Sequence, residues 1–197
     1  MIKLIDISFA YPGQAALFEG LKLELSTKTR TLIRGENGSG KSTLLQLITG
    51  NLQPQKGELI HPQHPGIFYV QQDAKSRILG VSLEQDLRLW QIAGLKTSVQ
   101  HLAGQPLLQD FDPAIFSKPI RELSTGTLQA YILALALLHQ EHYLILDEAL
   151  PSLDEQRRQL FCRELAKVRG FLAVSHESFG TEPAFEHILN LQEGKLL

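Results

Sequence analysis

A glycine-rich segment of eight residues constrains the fold of this chain more than any other feature. Residues 35–42 read GENGSGKS and match GxxxxGKS, a pattern that binds phosphate when it lies between a strand and a helix. The apolar run Thr31–Ile33 predicts the strand, and the leucine spacing over Lys41–Thr49 predicts the helix. Glycine lets the backbone curl with its N–H groups pointing inward, and a helix N-terminus attracts anions. The segment therefore predicts a phosphate-binding loop in an α/β fold.

The residues of this loop have different predicted roles. We expect Lys41 to reach the β- and γ-phosphates of a nucleotide, and the Ser42 hydroxyl to bind Mg²⁺. All the fixed positions of the pattern coincide here, so a purely structural glycine turn is a weak alternative. The residues expected to bind the nucleotide are Gly35, Asn37, Gly38, Ser39, Gly40, Lys41, Ser42 and Thr43.

An acidic pair follows a continuous apolar run much later in the chain. The run Tyr143–Leu146 is typical of a buried parallel strand, and it ends in Asp147 and Glu148. Open α/β sheets bind ligands at the carboxyl ends of their strands. We expect Asp147 to hold the magnesium and Glu148 to polarise the attacking water. Such a pair is common by itself, but together with the phosphate loop it indicates nucleotide hydrolysis.

Further patterns predict the remaining elements. The predicted strands are Ile2–Tyr11, Leu21–Leu25, Gly57–Ile60, Ile67–Val70, Phe171–Val174 and Phe185–Leu191, the last in a hairpin with Gly194. The predicted helices are Ser82–Ala93, Thr97–Ala103, Leu128–His139 and Leu153–Val168. The stretch between Gln72 and Leu123 is a predicted helical insert that ends in an irregular segment, 106–119.

Composition excludes several classes of protein. The 197 residues carry a formal net charge of −2, so no basic excess favours nucleic acid as a partner. The single cysteine, Cys162, excludes a disulfide framework and suits a reducing compartment. The longest apolar run, Ile132–Leu138, is too short to span a membrane, and the N-terminus lacks a secretory signal. We expect a cytoplasmic protein that reaches the membrane only through another chain.

The two motifs, in this order, resemble those of the ATP-binding-cassette (ABC) ATPases, and the resemblance covers essentially the whole chain. It implies a P-loop NTPase fold of ABC type: a mainly parallel core sheet with flanking helices, an N-terminal antiparallel β subdomain and a helical insert. Residues 1–197 would form a single ATP-binding domain with a helical subdomain at about 73–125. The implied activity is ATP hydrolysis with Mg²⁺ in a homodimer, or in a heterodimer with another ABC ATPase, that powers a separate transmembrane permease subunit.

The resemblance also assigns roles outside the two motifs. Tyr11 in FAYPG matches the aromatic residue that stacks on adenine, although a structural tyrosine is the alternative. Gln72 in FYVQQ matches a loop glutamine that touches magnesium and water, and the adjacent Gln71 leaves this assignment open by one position. His176 in VSHE matches a switch histidine that contacts the γ-phosphate. Asp154 resembles part of a loop through which two protomers sense each other, and it also suits a helix cap.

The signature segment departs from the family pattern. Residues 123–127 read LSTGT where the usual form is LSGGQ, so Ser124 and Gly126 are retained while Thr125 and Thr127 differ. In the family this segment faces the γ-phosphate of the ATP bound to the opposite protomer. Two further positions, occupied by Ala130 and Ala149, usually hold arginine and proline. We therefore expect composite sites that close more weakly than a standard pair.

Three alternatives remain open at this point. Residues 78–87 resemble a segment of energy-coupling-factor and cobalt-type importer ATPases, but an ordinary helix capped by Ser82 explains the same letters. A soluble, non-transport ABC ATPase would remodel a ribosome, DNA or a protein complex. A weakly hydrolysing subunit of a heterodimer would retain ATP binding and lose turnover.

Overall fold

The structure is a computed structural model that describes residues 1–61, 66–139, 141–175 and 185–197. Its strands are β1 Ile2–Phe9, β2 Phe18–Leu25, β3 Arg30–Arg34, β4 Lys56–Ile60, β5 Ile67–Val70, β6 Tyr143–Asp147, β7 Phe171–Ser175, β8 His187–Gln192 and β9 Lys195–Leu196. Its α-helices are α1 Lys41–Ile48, α2 Leu83–Ile92, α3 Val99–Ala103, α4 Thr125–Leu138 and α5 Glu155–Leu165. Short 3₁₀ helices cover Ala74–Arg77, Pro113–Phe116 and Ile120–Glu122.

The first of two compact units contains α1 and both sheets, apart from Val70 at the end of β5. It comprises Met1–Tyr69, Glu141–Glu148 and Arg169–Leu197. A three-stranded sheet has the order β2-β1-β4, with β1 antiparallel to both neighbours. A six-stranded sheet has the order β5-β6-β7-β3-β8-β9, in which β3 is parallel to β7 and β8 and β6 is parallel to β7. The predicted α/β class with an N-terminal antiparallel β subdomain is confirmed.

One apolar core joins the two sheets of this unit to α1. Helix α1 contributes Leu44, Leu45, Leu47 and Ile48, which are almost completely buried with residues of β1, β3 and β7. Their spacing gives the helix one apolar face, which is the pattern that predicted it. Because α1 is fixed by this packing, the loop between β3 and α1 is anchored at both ends.

The second unit contains the other four α-helices and comprises Val70–Gln140 and Ala149–Val168. The predicted helical subdomain at about 73–125 lies within its sequence limits. Helix α4 is buried on nearly all sides, as its run of leucine and alanine indicates. Asp86 of α2 is 1% exposed and accepts hydrogen bonds from backbone and side-chain donors of this unit. A buried carboxylate is tolerated because these donors replace water.

The sequence placed the starts of three helices incorrectly. Helix α3 begins at Val99 rather than Thr97, because the Ser98 hydroxyl accepts the N–H of His101. Helix α4 begins at Thr125 rather than Leu128, because the Ser124 hydroxyl accepts the N–H of Thr127 and caps the helix three residues earlier. Helix α5 begins at Glu155 rather than Leu153, because the Asp154 carboxylate accepts the N–H of Arg157. Asp154 is thus the helix cap that the sequence also indicated, whereas at α4 the apolar pattern was followed instead of the capping residue.

A tight hairpin connects β8 and β9 in the first unit. Its two loop residues, Glu193 and Gly194, have φ angles of +46° and +73°. Both angles are required by the two-residue turn whose twist matches the flanking strands. A Cβ atom on Gly194 would collide with the carbonyl oxygen of Leu17.

Candidate active site

The phosphate loop has a backbone that favours glycine at three positions. Gly38 and Gly40 have φ angles of +83° and +99°, in the left-handed region that favours glycine. A Cβ atom on Gly35 would lie 2.6 Å from both the Leu191 carbonyl oxygen and Ser39 Oγ. Each glycine of the sequence motif therefore has a local steric reason.

Lys41 places a buried positive charge inside this loop. Its Nζ donates to the carbonyl oxygens of Gly35 at 2.9 Å and Glu36 at 2.8 Å, and only 5% of the side chain is exposed. Nζ also lies 3.8 Å from Glu148 Oε1. An ammonium group held by neutral carbonyl oxygens can exchange them for phosphate oxygens, which are stronger acceptors.

The N-terminus of α1 is open toward the same loop. Its N-cap is Gly40, no side chain caps the helix, and its first turn contains no acidic residue. The first backbone N–H groups of a helix have no intrahelical acceptor, and the helix dipole makes this end positive. The buried Ser39 Oγ also has no hydrogen-bond partner among the residues described. These donors suit a phosphate group.

Asp147 lies at the end of β6, where its carboxylate meets the start of α1. It is 7% exposed, and burial is the main cause that raises the pKa of its carboxyl group. The carboxylate accepts a hydrogen bond from Tyr69 Oη at 2.8 Å, and the nearby Ser42 hydroxyl also favours its ionised form. A hydroxyl oxygen beside a carboxylate is a donor set that Mg²⁺ prefers. Ser42 and Asp147 therefore fit the predicted magnesium site.

Tyr69 is the residue of this site that sequence reasoning missed. It is 8% exposed, and burial together with the Asp147 charge raises the pKa of its hydroxyl group, which keeps it a hydrogen-bond donor. The apolar run predicted it only as a strand residue. Its contact with Asp147 joins residues 78 positions apart, so no local pattern indicates it.

Glu148 has an unusual backbone conformation directly after the strand. Its φ is +46°, which is rare for a residue with a side chain, and its N–H donates to the Val174 carbonyl oxygen at 3.0 Å. Non-glycine residues in this region cluster at functional sites. The conformation turns the chain out of β6 and brings the Glu148 carboxylate beside Lys41.

Tyr11 lies beside the same helix in the first unit. Its hydroxyl is 3.0 Å from Thr43 Oγ1, and its half-buried ring packs edge-to-face on Phe9 at 5.1 Å. The structure thus brings Tyr11, Thr43, Lys41, Asp147 and Glu148 into one unit.

The signature residues lie in the second unit. Ser124 Oγ accepts the Thr127 N–H at 3.1 Å and is 2.8 Å from Thr127 Oγ1, and a Cβ atom on Gly126 would lie 3.0 Å from the Ser152 carbonyl oxygen. A cavity of about 100 Å³ opens beside these residues. Ala130 is fully buried in α4.

The loop glutamine and the switch histidine are the two remaining predicted residues. Gln71 Oε1 accepts from Ser76 Oγ at 3.0 Å, whereas Gln72 is exposed, and both follow β5 in the second unit. His176 lies outside the described residues, immediately after the last residue of β7.

Comparison with known proteins identifies the family. Residues 18–151 match the ABC transporter family. The chain belongs to this family. The zinc import ATP-binding protein ZnuC of Pseudomonas aeruginosa is 30% identical over 184 residues, which cover 90% of this chain and 66% of that protein. Human antigen peptide transporter 2 is 29% identical over an aligned length of 215 residues, and the alignment covers 100% of this chain and 31% of that protein. The chain thus spans less than two thirds of these ABC relatives.

Solved structures of ABC proteins share the fold. A dimeric ATP-binding cassette in a post-hydrolysis state, bound to ADP and Pi, superposes with a TM-score of 0.81 at 19% identity, covering 100% of this chain and 96% of that chain. An ATP-binding subunit of an ABC transporter has a TM-score of 0.82 at 23% identity, covering 100% and 88%. The predicted ABC-type fold is confirmed. Among the residues described, no helix combines the length and apolarity needed to cross a membrane.

Proposed function

We propose that this chain is the ATP-binding and hydrolysing subunit of an ABC transporter. Residues 1–197 act as a single ATP-binding domain whose helical subdomain spans about 73–125. The proposal rests on one observation: a buried lysine, an uncapped helix N-terminus and an acidic pair meet at one phosphate loop. The zinc import and antigen peptide transporter relatives support the transport role.

The phosphate loop binds the triphosphate of ATP. Lys41 leaves the carbonyl oxygens of Gly35 and Glu36 and binds the β- and γ-phosphates. The N–H groups of the loop and of α1 surround the phosphate oxygens. The other proposed nucleotide contacts are Asn37, Gly38, Ser39, Gly40, Ser42 and Thr43, with Tyr11 stacked on adenine.

Ser42, Asp147 and Gln72 would hold Mg²⁺. When bound, the ion neutralises charge that develops on the phosphate oxygens. Burial disfavours the ionised form of Asp147 in the free protein, and a cation beside the carboxylate reverses that preference.

Glu148 orients the attacking water and accepts its proton. The water oxygen bonds to the γ-phosphorus as the bond to the bridging oxygen breaks, and ADP leaves. Lys41 and the loop N–H groups stabilise the charge of the transition state. His176 contacts the γ-phosphate. In the free protein Lys41 lies near Glu148, so ATP binding also releases the Glu148 carboxylate for this role.

A second protomer completes each site. Ser124 and Gly126 of one protomer face the γ-phosphate bound by the other, in a homodimer or a heterodimer with another ABC ATPase. Ser124 caps a helix of 14 residues, so its hydroxyl and the helix dipole act at the same point. ATP binding closes the dimer, and hydrolysis opens it.

A separate membrane subunit is the proposed partner, and it would hold the chain at the cytoplasmic face of the membrane. Nucleic acid is not a proposed partner. Two exposed apolar residues in the second unit support the membrane subunit as partner, since Leu79 and Val81 are 79% and 74% exposed. Asp86 fixes their loop by accepting the Leu79 N–H at 2.7 Å and the Gly80 N–H at 3.3 Å. Exposed apolar residues on a fixed loop suit a protein contact.

The proposed direction of transport is import. Residues 78–87 include this loop and resemble those of energy-coupling-factor and cobalt-type importers, and the ZnuC relatives are named for zinc import. The cargo is determined by the membrane and binding subunits.

The activity is tested by ATP hydrolysis of the purified chain with Mg²⁺. We expect Lys41→Ala to abolish hydrolysis and to weaken nucleotide binding strongly. Lys28→Ala removes an exposed lysine and serves as the matched control. Equal hydrolysis by wild type and Lys41→Ala would exclude this site as the source of activity.

The partner is tested by purifying the tagged chain from detergent-solubilised membranes of its native source and identifying what accompanies it. We expect a stoichiometric membrane protein with multiple spans. Reproducible recovery with a ribosomal or DNA-repair partner from the soluble fraction would instead establish a remodelling ATPase.

A further inference from the structure

The Tyr69 hydroxyl forms the most buried hydrogen bond between side chains at the active site. Tyr69 Oη lies 2.8 Å from Asp147 Oδ2, and these two residues are 8% and 7% exposed. The bond links β5 to the end of β6. Because water has little access to either group, the bond has no strong competitor and restricts rotation of the carboxylate.

The bond leaves the Asp147 carboxylate in a defined orientation. Tyr69 occupies Oδ2, and the Ser42 hydroxyl lies close enough to the same carboxylate to favour its ionised form. The hydroxyl and carboxylate oxygens that would share one cation are thus already adjacent before a cation binds. Groups that hydrogen-bond a metal ligand from outside fix its orientation and strengthen metal binding.

We infer that Tyr69 is a positioning residue that orients the Asp147 carboxylate for divalent-cation binding. The inference rests on the proposed function, because it assumes that Asp147 and Ser42 hold the cation. Tyr69 touches neither nucleotide nor cation in this role. Its effect is therefore specific: the hydroxyl increases cation affinity and leaves the affinity for nucleotide alone unchanged.

The sequence supplies a matched control on the same strand as Asp147. Tyr143 of β6 is 1% exposed, and its hydroxyl has no hydrogen-bond partner among the residues described. Tyr69→Phe and Tyr143→Phe each remove one buried hydroxyl oxygen from the same core. Only Tyr69→Phe removes a contact with Asp147.

The test measures Mn²⁺ binding by electron paramagnetic resonance to wild type and both variants, each saturated with ADP. We expect Tyr69→Phe to raise the Kd for Mn²⁺ about tenfold, and Tyr143→Phe to leave it unchanged. The Mg²⁺ concentration for half-maximal ATP hydrolysis should rise in parallel, while kcat at saturating Mg²⁺ is retained. Binding of a fluorescent nucleotide in EDTA should be equal in all three proteins.

Each contrary result has a distinct meaning. An unchanged or lower Kd for Mn²⁺ in Tyr69→Phe would overturn the positioning role and leave the proposed function intact. Weaker nucleotide binding in EDTA would overturn it as well, because the hydroxyl would then support the whole site rather than one carboxylate. Absence of nucleotide binding by wild type would reject the proposed function itself.

Discussion

Asp147 shows how a residue with a proposed function can oppose stability. In the free protein its carboxyl group is buried, and burial raises its pKa even though the Tyr69 hydrogen bond and the nearby Ser42 hydroxyl lower it. A raised pKa in the folded state means that the folded protein holds the proton more tightly than the unfolded chain. Stability is therefore lost as pH rises through the interval between the ordinary aspartate pKa and the raised value.

Asp147→Asn should stabilise the ligand-free protein at neutral pH and weaken cation binding. The amide carries no charge, so it avoids the cost of burying the ionised carboxylate. Thermal melts at a series of pH values check this: the gain in Tm should be largest at neutral pH and should fade as pH falls toward the ordinary aspartate pKa. Asp110→Asn, at an exposed position, is the control, and a gain that persists in acid would contradict the explanation.

The loop before α2 depends on one buried side chain. Asp86 accepts the N–H groups of Leu79 and Gly80 through Oδ1. Through Oδ2 it accepts hydrogen bonds from Trp90 Nε1 at 3.1 Å and from Tyr131 Oη at 2.9 Å. The carboxylate thereby joins the loop to α2 and α4 within the second unit.

Asp86→Asn should lower the free energy of unfolding by about 2 kcal/mol. The amide has one acceptor oxygen, so its NH₂ group would face the Trp90 N–H and leave a buried donor unsatisfied. Urea denaturation of the isolated chain measures the change, with Asp110→Asn again as the control. Equal midpoints for wild type and Asp86→Asn would show that the loop is held by other contacts.

The start of α4 departs from the family pattern at two threonines. Thr127 binds the Ser124 hydroxyl through both its N–H and its own hydroxyl, and Thr125 is exposed in the first turn. The glutamine usual at position 127 would extend further, and the glycine usual at position 125 would remove a Cβ atom from the surface that is proposed to face the second protomer.

Thr125→Gly combined with Thr127→Gln should therefore raise ATP turnover severalfold by strengthening closure of the dimer. Steady-state hydrolysis at saturating ATP checks this. The single variant Thr127→Val keeps the shape of threonine and removes only its hydroxyl. It therefore separates the loss of the hydroxyl contact with Ser124 from the gain of a longer side chain. Unchanged turnover in the double variant would contradict the expectation that the altered signature weakens closure of the dimer.

The elements were more predictable than the contacts between them. Apolar runs such as Tyr143–Leu146 identified the buried strands, and GxxxxGKS located the loop between β3 and α1, because both signals are local. The start of α4 was misplaced because periodicity was weighed above the cap at Ser124. The hydrogen bond between Tyr69 and Asp147 required the tertiary fold, which pairs strands distant in sequence.

On the scale of the whole molecule, the phosphate loop and the signature belong to different compact units of the chain. The proposed function joins the loop of one protomer to the signature of another. Dimer formation should therefore depend on bound ATP, and the dimer should persist only while hydrolysis is blocked.

Glu148→Gln should trap an ATP-bound dimer. The amide cannot accept a proton from water, and it also removes the negative charge 3.8 Å from Lys41 Nζ, so ATP is retained. Size-exclusion chromatography with light scattering in the presence of ATP and Mg²⁺ measures the mass. Glu58→Gln, at an exposed position of β4, should remain like wild type, and a monomeric Glu148→Gln that still binds ATP would contradict a symmetric homodimer.

The hairpin between β8 and β9 also limits how this chain can vary. Every substitution of Gly194 adds a Cβ atom, and any such atom meets the Leu17 carbonyl oxygen while the backbone holds a φ of +73°. Glu193, the other residue of the turn, already has a side chain at a positive φ, so the steric restriction on side chains lies at Gly194. In a saturation library of this chain, position 194 should tolerate no replacement, and spectroscopic labels or insertions belong in other surface turns.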